Sequence, residues 1–345
     1  MSQYASASDT DTPIIADLRS DTVTRPSAAM RAAMAAAEVG DDVFGDDPTV
    51  VRLEATLAER LGKEAGLFVA SGTQSNFLAL LSHCARGEEV LTGRGYHIHT
   101  YEAMNAAVLG GIAIDPLSVA ADGALDASDI AAAVKPDDIH MPMTRLLGLE
   151  NTHNGKAVPL MRLGESVEAA RAASLATHLD GARYFNAIAA LNCPEQALAD
   201  LFDTVSVCLS KGLGTPVGSV LLGPADLISR ARRWRKMVGG GMRQVGILAA
   251  AGLHALEHNV ARLGEDHQRA ATLGDALRQF GEVDQATNMI FFTPPGGVRP
   301  DLPRHMAAHG VRLSGATGTT RLVVHKDIGD EGISAAITGF QRYFH

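Results

Sequence analysis

Two apolar runs, each closing on a reactive side chain and then on glycine, constrain this chain more than any other feature. The first, Leu175-Ala-Thr-His-Leu179, ends in Asp180-Gly181-Ala182-Arg183. The second, Ser206-Val-Cys-Leu-Ser210, ends in Lys211-Gly212-Leu213-Gly214 and continues through Thr215-Pro-Val to Gly218. Short runs of this kind, bounded by glycine, read as buried strands. If both are parallel strands of one open sheet, Asp180 and Lys211 end on the same edge, where α/β folds bind their ligands. Lysine is costly to bury, and its amine can be tuned into a nucleophile that forms a Schiff base. Glycines directly after it let the backbone turn tightly and approach a bound group. An isolated Ser-Lys-Gly would be a strand end with a solvated lysine; the aspartate in the matching position argues against that.

The surrounding pattern supports the sheet. Segment 27–38 is alanine-rich and helical, with Ser27 as its N-cap after Pro26, and 49–62 puts Val50, Leu53, Leu57 and Leu61 on one helical stripe. A strand over 66–70 meets Ser71-Gly72-Thr73 and a helix carrying Phe77, Leu81 and Cys84. Strand-like and helix-like segments then alternate at 89–92, 99–108 (a helix), 111–115, 127–133, 146–150, 162–172, 175–179, 197–201, 204–210 and 219–222. That alternation predicts a mostly parallel α/β sheet. A long helix over about 243–263 leads into an α+β remainder with helix 265–280, strand 287–293, helix 301–309 and strand 320–325. The expected division is a disordered leader over 1–13, a large α/β domain over 14–255 with 14–48 close to the site, and a small α+β domain over 256–345.

A net charge of −9 argues against nucleic acid or an anionic membrane as the main partner. The basic run Arg230-Ala-Arg-Arg-Trp-Arg-Lys236 reads as a solvated helix face with Trp234 beneath it. Cys84, Cys193 and Cys208 fit neither a disulfide framework nor CxxC metal spacing, so a reduced setting is the default. The first twelve residues lack the basic and apolar regions of a secretory signal, and no apolar stretch approaches the ~20 residues that span a bilayer. A soluble, cytoplasmic protein is expected.

An aspartate facing a pyridinium nitrogen and a lysine facing an aldehyde are the protein parts that pyridoxal 5'-phosphate (PLP) chemistry needs. Ser71-Gly72-Thr73, between a strand and a helix, is an ordinary N-cap by itself; beside those two residues it reads as a phosphate site made of free N–H groups and a helix dipole. The run Gly212-Leu-Gly214-Thr-Pro-Val-Gly218 is GxGxxxG, not GxGxxG, and lies too far along the chain for a first βα turn, so a dinucleotide loop is excluded. His97 and His99 would share a face on a strand, but no acidic or cysteine ligand with matching spacing accompanies them, and no metal is expected.

Further motifs lie in order along the chain: Asp17-Leu-Arg-Ser20-Asp-Thr-Val-Thr-Arg-Pro26, Gly40-Asp-Asp-Val-Phe-Gly-Asp-Asp-Pro48, Leu149-Glu-Asn-Thr-His-Asn-Gly155 and Lys236-Met-Val-Gly-Gly-Gly-Met-Arg-Gln244. With the segments around Gly72, Asp180 and Lys211, they make the chain resemble the low-specificity L-threonine aldolases, from Asp17 to about the C-terminus. These are PLP-dependent lyases of fold type I, in the threonine aldolase and β-eliminating lyase family. The resemblance implies an aspartate aminotransferase-like fold: a mostly parallel central sheet with a smaller α+β C-terminal domain. It also implies reversible cleavage of the Cα–Cβ bond of L-threonine or L-allo-threonine to glycine and an aldehyde.

Residue by residue, the resemblance implies Lys211 as the Schiff-base lysine, Asp180 at the pyridine nitrogen and His97 stacked on the cofactor ring. It puts His140 near the substrate hydroxyl and Gly72 and Thr73 at the phosphate, with Arg243 reaching the phosphate of a neighbouring subunit. Arg321 matches the carboxylate-binding arginine, a role suited to a planar guanidinium that bonds both oxygens. Ser20 and Arg183 carry over as further contacts near the carboxylate and ring oxygen, and His153 as a structural loop residue. The general base stays open between His97, His140 and a water held by them. A homotetramer built from dimers, with sites shared across a dimer interface, is also implied. The same parts would serve a β-eliminating lyase, a phenylserine aldolase or a serine hydroxymethyltransferase-like enzyme; a non-catalytic PLP-fold binding protein is the rival of a different class. Met104-Asn105 stands where many relatives carry a glycine pair, and Gly315–Thr320 departs in length and chemistry. Both bear on side-chain preference, not on reaction class.

Overall fold

The computed structural model describes residues 12–315 and 318–345. The expected leader therefore lies outside the described residues up to Asp11, as do Ala316 and Thr317 of the divergent segment. The chain forms two compact units. The larger holds Pro26–Ser210 and Thr215–Glu257; the smaller holds the described residues from Thr12 to Arg25, Lys211–Gly214 and His258–His345. The N-terminal segment thus groups with the C-terminal unit, because β1 (Ala16–Asp17) is a strand of it.

In the larger unit the N-terminal part is helical, with α1 (Ala28–Ala35) and α2 (Pro48–Leu61). Their starts are set by side chains that accept otherwise unpaired N–H groups. Ser27 Oγ takes the Met30 N–H at 3.1 Å, and Asp47 Oδ1 takes those of Thr49 and Val50 at 3.1 Å. Gly62, in the left-handed region at φ 66°, ends α2. The α/β alternation follows: β2 (Ala65–Val69), α3 (Gly72–His83), β3 (Glu88–Gly93), the single turn α4 (His97–Thr100), β4 (Ala113–Leu117), α5 (Ala127–Ala133), β5 (Met143–Glu150) and α6 (Leu160–Ala172). Then come β6 (Ala176–Gly181), α7 (Tyr184–Leu191), α8 (Glu195–Ala199), β7 (Thr204–Cys208), β8 (Ser219–Gly223), α9 (Ala225–Met237) and α10 (Gly246–His258).

These strands form one seven-stranded sheet in the order β2-β8-β7-β6-β5-β3-β4. β8 runs antiparallel to both β2 and β7, and the other neighbours are parallel. The central strands are covered on both faces, which is why they read as continuous apolar runs instead of alternating ones: Leu179, Val205, Val207 and Val220 are all fully buried.

Two elements differ from the sequence expectation. The helix expected over 99–108 is broken, because Ala103 and Met104 take left-handed φ values of 53° and 56° and the chain resumes as a π-helical turn at Ala106–Gly110. The long helix expected from 243 begins only at Gly246, whose N–H is taken by Asp47 Oδ2 at 2.8 Å. The basic run is also not wholly a solvated face. Arg235 is 2% exposed and donates to Asp42 Oδ2 at 2.6 Å and to the Phe68 carbonyl at 2.7 Å, so its charge is paired inside the unit.

The smaller unit is α+β: α11 (Leu263–Leu277), the hairpin β9 (Glu282–Ala286) and β10 (Met289–Thr293), α12 (Leu302–Ala308), β11 (Val311–Arg312), β12 (Thr320–Val323) and α13 (Asp330–Phe344). β10 lies between β12 and β9, antiparallel to both, while β1 pairs parallel with β11. Leu273, Leu277, Ile290, Phe292, Leu322 and Phe340 form its buried core. Among the described residues no helix is long and apolar enough to cross a membrane.

Candidate active site

In the larger unit the site is built at the C-terminal ends of β5, β6 and β7. Asp180 is the penultimate residue of β6, in register with Glu150 on one side and Ser206 on the other, and is 3% exposed. Its Oδ1 accepts the Ala182 N–H at 3.0 Å, and its Oδ2 accepts the Asn76 side-chain N–H at 2.8 Å. The adjoining glycine is a steric requirement: a Cβ on Gly181 would lie 2.4 Å from the Ser206 carbonyl oxygen. Gly181→Ala should therefore push β6 from β7 just past Asp180 and cost about 1–3 kcal/mol. Urea unfolding measures this, and an unchanged midpoint would contradict the packing.

His97 opens α4, its backbone N–H held by Glu150 Oε2 at 2.6 Å. The other oxygen of Glu150 meets His153 Nδ1 at 2.8 Å, so His153 is a buried structural partner of that carboxylate. His97 Nδ1 meets Glu102 Oε1 at 2.8 Å. His99 turns away to the Arg94 carbonyl at 2.7 Å, since α4 is helical and the two imidazoles do not share a strand face. The expectation that no acidic group accompanies the histidines is corrected here: ligand atoms of His97, Glu102 and Asp180 lie within 4.8 Å of one another. The arrangement places two buried carboxylates close together, a setting that favours a positively charged partner.

At the start of α3, Ser71 Oγ caps the Gln74 N–H at 3.1 Å, and the N–H groups of Gly72 and Thr73 have no partner among the described residues. Beside them is a buried hydroxyl: a Cβ built on Gly72 would stand 3.7 Å from Ser219 Oγ, which has no hydrogen-bond partner among the described residues. Two N–H groups at a helix N-terminus and an unsatisfied hydroxyl suit an anionic oxygen. Arg243 donates to Asp41 Oδ2 at 3.0 Å and is exposed. Arg183 follows Asp180-Gly181-Ala182 directly and stands at the N-cap of α7.

His140 is not brought to Asp180 within one chain. It precedes β5 at Met143, whereas Glu150 at the other end is the residue paired with Asp180. Seven strand steps separate the two ends, about 23 Å. His140 bonds Asp138 Oδ1 at 2.7 Å beside Ile139, which is 97% exposed.

The smaller unit carries the remaining residues. β7 ends at Cys208, and the chain reaches Lys211 three residues later. The Lys211 carbonyl accepts the Thr24 hydroxyl at 2.8 Å, in the same N-terminal segment in which Ser20 Oγ caps the Thr22 N–H at 3.2 Å. Arg321, on β12 opposite Phe291, reaches the Arg19 carbonyl at 3.4 Å. Residues 19–24 thus gather Ser20, the Lys211 backbone and Arg321 around one short stretch.

The sequence reading missed Asn76, Glu102, Glu150 and His178. Two had a signal: His178 lies two residues before Asp180 on the same strand face, and Asn76 one turn beyond Gly72 on α3. Burial lowers the pKa of His178 to about 3 and that of His83 to about 4. Both stay neutral in the folded chain, while the unfolded chain protonates them below about pH 6.5. Stability is therefore full above that pH and falls by about 1.4 kcal/mol per pH unit per histidine as the pH drops towards 4. Urea midpoints between pH 7 and 5 should show this slope, and His83→Gln should remove one share of it; a slope unchanged by the substitution would contradict the assignment.

Fold and site together define a class: the Beta-eliminating lyase family matches residues 17–293, and the chain belongs to it. More particularly, it is 53% identical to the low specificity L-threonine aldolase of Escherichia coli (strain K12), over 92% of this chain and 96% of that protein. The low specificity L-threonine aldolase of Saccharomyces cerevisiae is 36% identical, over 90% of this chain and 83% of its own length. Among solved structures, a threonine aldolase from Leishmania major superposes with a TM-score of 0.81 at 20% identity, covering 96% of this chain and 100% of that one, a likeness of fold.

Proposed function

We propose that this chain is a PLP-dependent aldehyde-lyase that cleaves the Cα–Cβ bond of L-threonine, L-allo-threonine and related β-hydroxy-α-amino acids to glycine and an aldehyde, reversibly. The observation that carries the reading is Asp180, a buried carboxylate at the strand edge next to the strand that leads into Lys211. The names of the relatives point to the same reaction.

The residues suit PLP. Its phosphate matches the Gly72 and Thr73 N–H groups and the Ser219 hydroxyl. Asp180 would hold the proton on the pyridine nitrogen by opposite-charge stabilisation. When bound, PLP supplies an electron sink for the pair released at Cα. Lys211 would provide the amine that holds the cofactor, and His97, its Nδ1 turned to Glu102, would present its ring to it. Arg321, with Ser20 and Arg183, orients the substrate carboxylate and so selects which Cα bond breaks; such orientation supplies several kcal/mol. A proton leaves the β-hydroxyl to His97, to His140 or to a water held by them.

His140 serves a site only on a second copy of the chain, since β5 separates it from Asp180 of its own. Exposed apolar side chains, Phe44, Val108, Leu109, Met161 and Met237 among them, favour an assembly that covers them. A homotetramer built from dimers, with Arg243 reaching a neighbour's phosphate, is consistent with this, as is a cytoplasmic location with the free thiols of Cys84, Cys193 and Cys208.

Incubating the PLP-loaded protein with L-threonine, L-allo-threonine and β-phenylserine, with detection of aldehyde and glycine, tests the reading. Release of acetaldehyde from the two threonines supports it. Pyruvate or ammonia in place of aldehyde would indicate β-elimination, and no product from any of the three would overturn it.

A further inference from the structure

We propose that Asn76 is a positioning residue, its amide locked by a one-way chain of hydrogen bonds from His83 through Thr204 and His178, so that both its N–H bonds are delivered to Glu102 and Asp180. The inference rests on the reading of Asp180 as the partner of PLP. Glu102 Oε1 and Asp180 Oδ2 each lie 2.8 Å from Asn76 Nδ2. Ionised carboxylates only accept hydrogen bonds, and two of them buried side by side repel. The amide between them gives one N–H to each. Flipped, it would present its oxygen to both, an arrangement with no donor in it.

What prevents the flip lies deeper in the unit. Asn76 Oδ1 is 3.2 Å from His178 Nε2, His178 Nδ1 is 2.9 Å from Thr204 Oγ1, and that oxygen is 2.8 Å from His83 Nε2. A neutral imidazole carries one N–H. With that proton on Nε2, His178 donates to the Asn76 oxygen and its Nδ1 lone pair receives the Thr204 hydroxyl. The Thr204 oxygen, its own hydrogen committed, then accepts from His83. Each link runs in the same direction, towards the carboxylates. His178 and Thr204 are 0% exposed, so water does not substitute for a missing link. Glu102 also receives His97 Nδ1, so one amide sets the acid that faces the PLP nitrogen and the acid that fixes the His97 ring.

The test uses Thr204→Val, which removes the hydroxyl at nearly constant shape two residues before Ser206, the register partner of Asp180. Titration of apo-protein with PLP should show about a tenfold weaker dissociation constant for Thr204→Val, with Thr204→Ser within about twofold of the unaltered protein. A folded Thr204→Val that binds PLP like the unaltered protein overturns the proposal. Long-range 1H–15N spectra of histidine-labelled unaltered protein decide independently should Thr204→Val not fold: the proton of His178 is expected on Nε2, and its location on Nδ1 would overturn the chain. If the unaltered protein takes up no PLP, the reading of the site fails, while the histidine spectra still decide the direction of the hydrogen bonds.

Discussion

Lys211→Ala protein should lose both the visible absorbance of lysine-bound PLP and nearly all turnover. The amine has no substitute in kind at that point of the chain: Ser210 and Gly212 flank it, and the Lys211 carbonyl is tied to Thr24. A missing covalent nucleophile costs at least about a thousandfold in rate. The measurement is a visible spectrum beside an aldehyde assay. Borohydride reduction of the unaltered protein followed by peptide mapping should put the label on Lys211. Retained colour and activity in the variant, or a label on another lysine, would transfer the role elsewhere.

Asp180→Ala carries the second large effect, and it should appear in binding and rate together. The carboxylate is buried, and removing it would leave one Asn76 N–H without its acceptor and, on the proposed reading, the cofactor nitrogen without its countercharge. Breaking a buried charge pair by deleting one member costs about 3–5 kcal/mol, a factor of roughly a hundred to a few thousand. PLP dissociation constants and kcat, measured at saturating PLP, separate the two contributions. A fully active Asp180→Ala protein would remove the electron-sink role from this residue. A loss of affinity alone, with kcat intact, would make Asp180 a binding group only.

The strand end at Asp180 was legible in the sequence because its signal is local. A strand, a reactive residue at its end and a glycine whose Cβ would strike the next strand all lie within a few positions of one another. The caps Ser27 and Ser71 were legible for the same reason: each acts on an N–H group three residues away. Glu102 was not, since its importance arises only when the segment after α4 meets Asn76 of α3, which itself reaches Asp180 on β6. In the Arg230–Lys236 run five of the seven residues are charged, and nothing local tells that Arg235 turns inward to Asp42. β9 was missed because Glu282-Val-Asp-Gln-Ala286 carries a single branched apolar residue and is only partly covered. α13 was overlooked although Ile333, Ala336 and Phe340 follow helical spacing and are buried. The units divide at Glu257, close to the expected boundary near 255, but chain order concealed that Ala16 and Asp17 pair in register with Val311 and Arg312, close to three hundred residues away.

The loop Gly40–Pro48 is fastened at its base by Asp42 to Arg235 and by Asp47 to Gly246, and the Asp41 side chain accepts the Val43 and Phe44 N–H groups at 2.8 and 3.3 Å. At its tip Phe44 is 77% exposed. The entropy of fixing this tip is therefore spent during folding and not at encounter. A surface that receives the aromatic ring meets a ready-made plug, so docking here forfeits little freedom and contact area converts more fully into affinity.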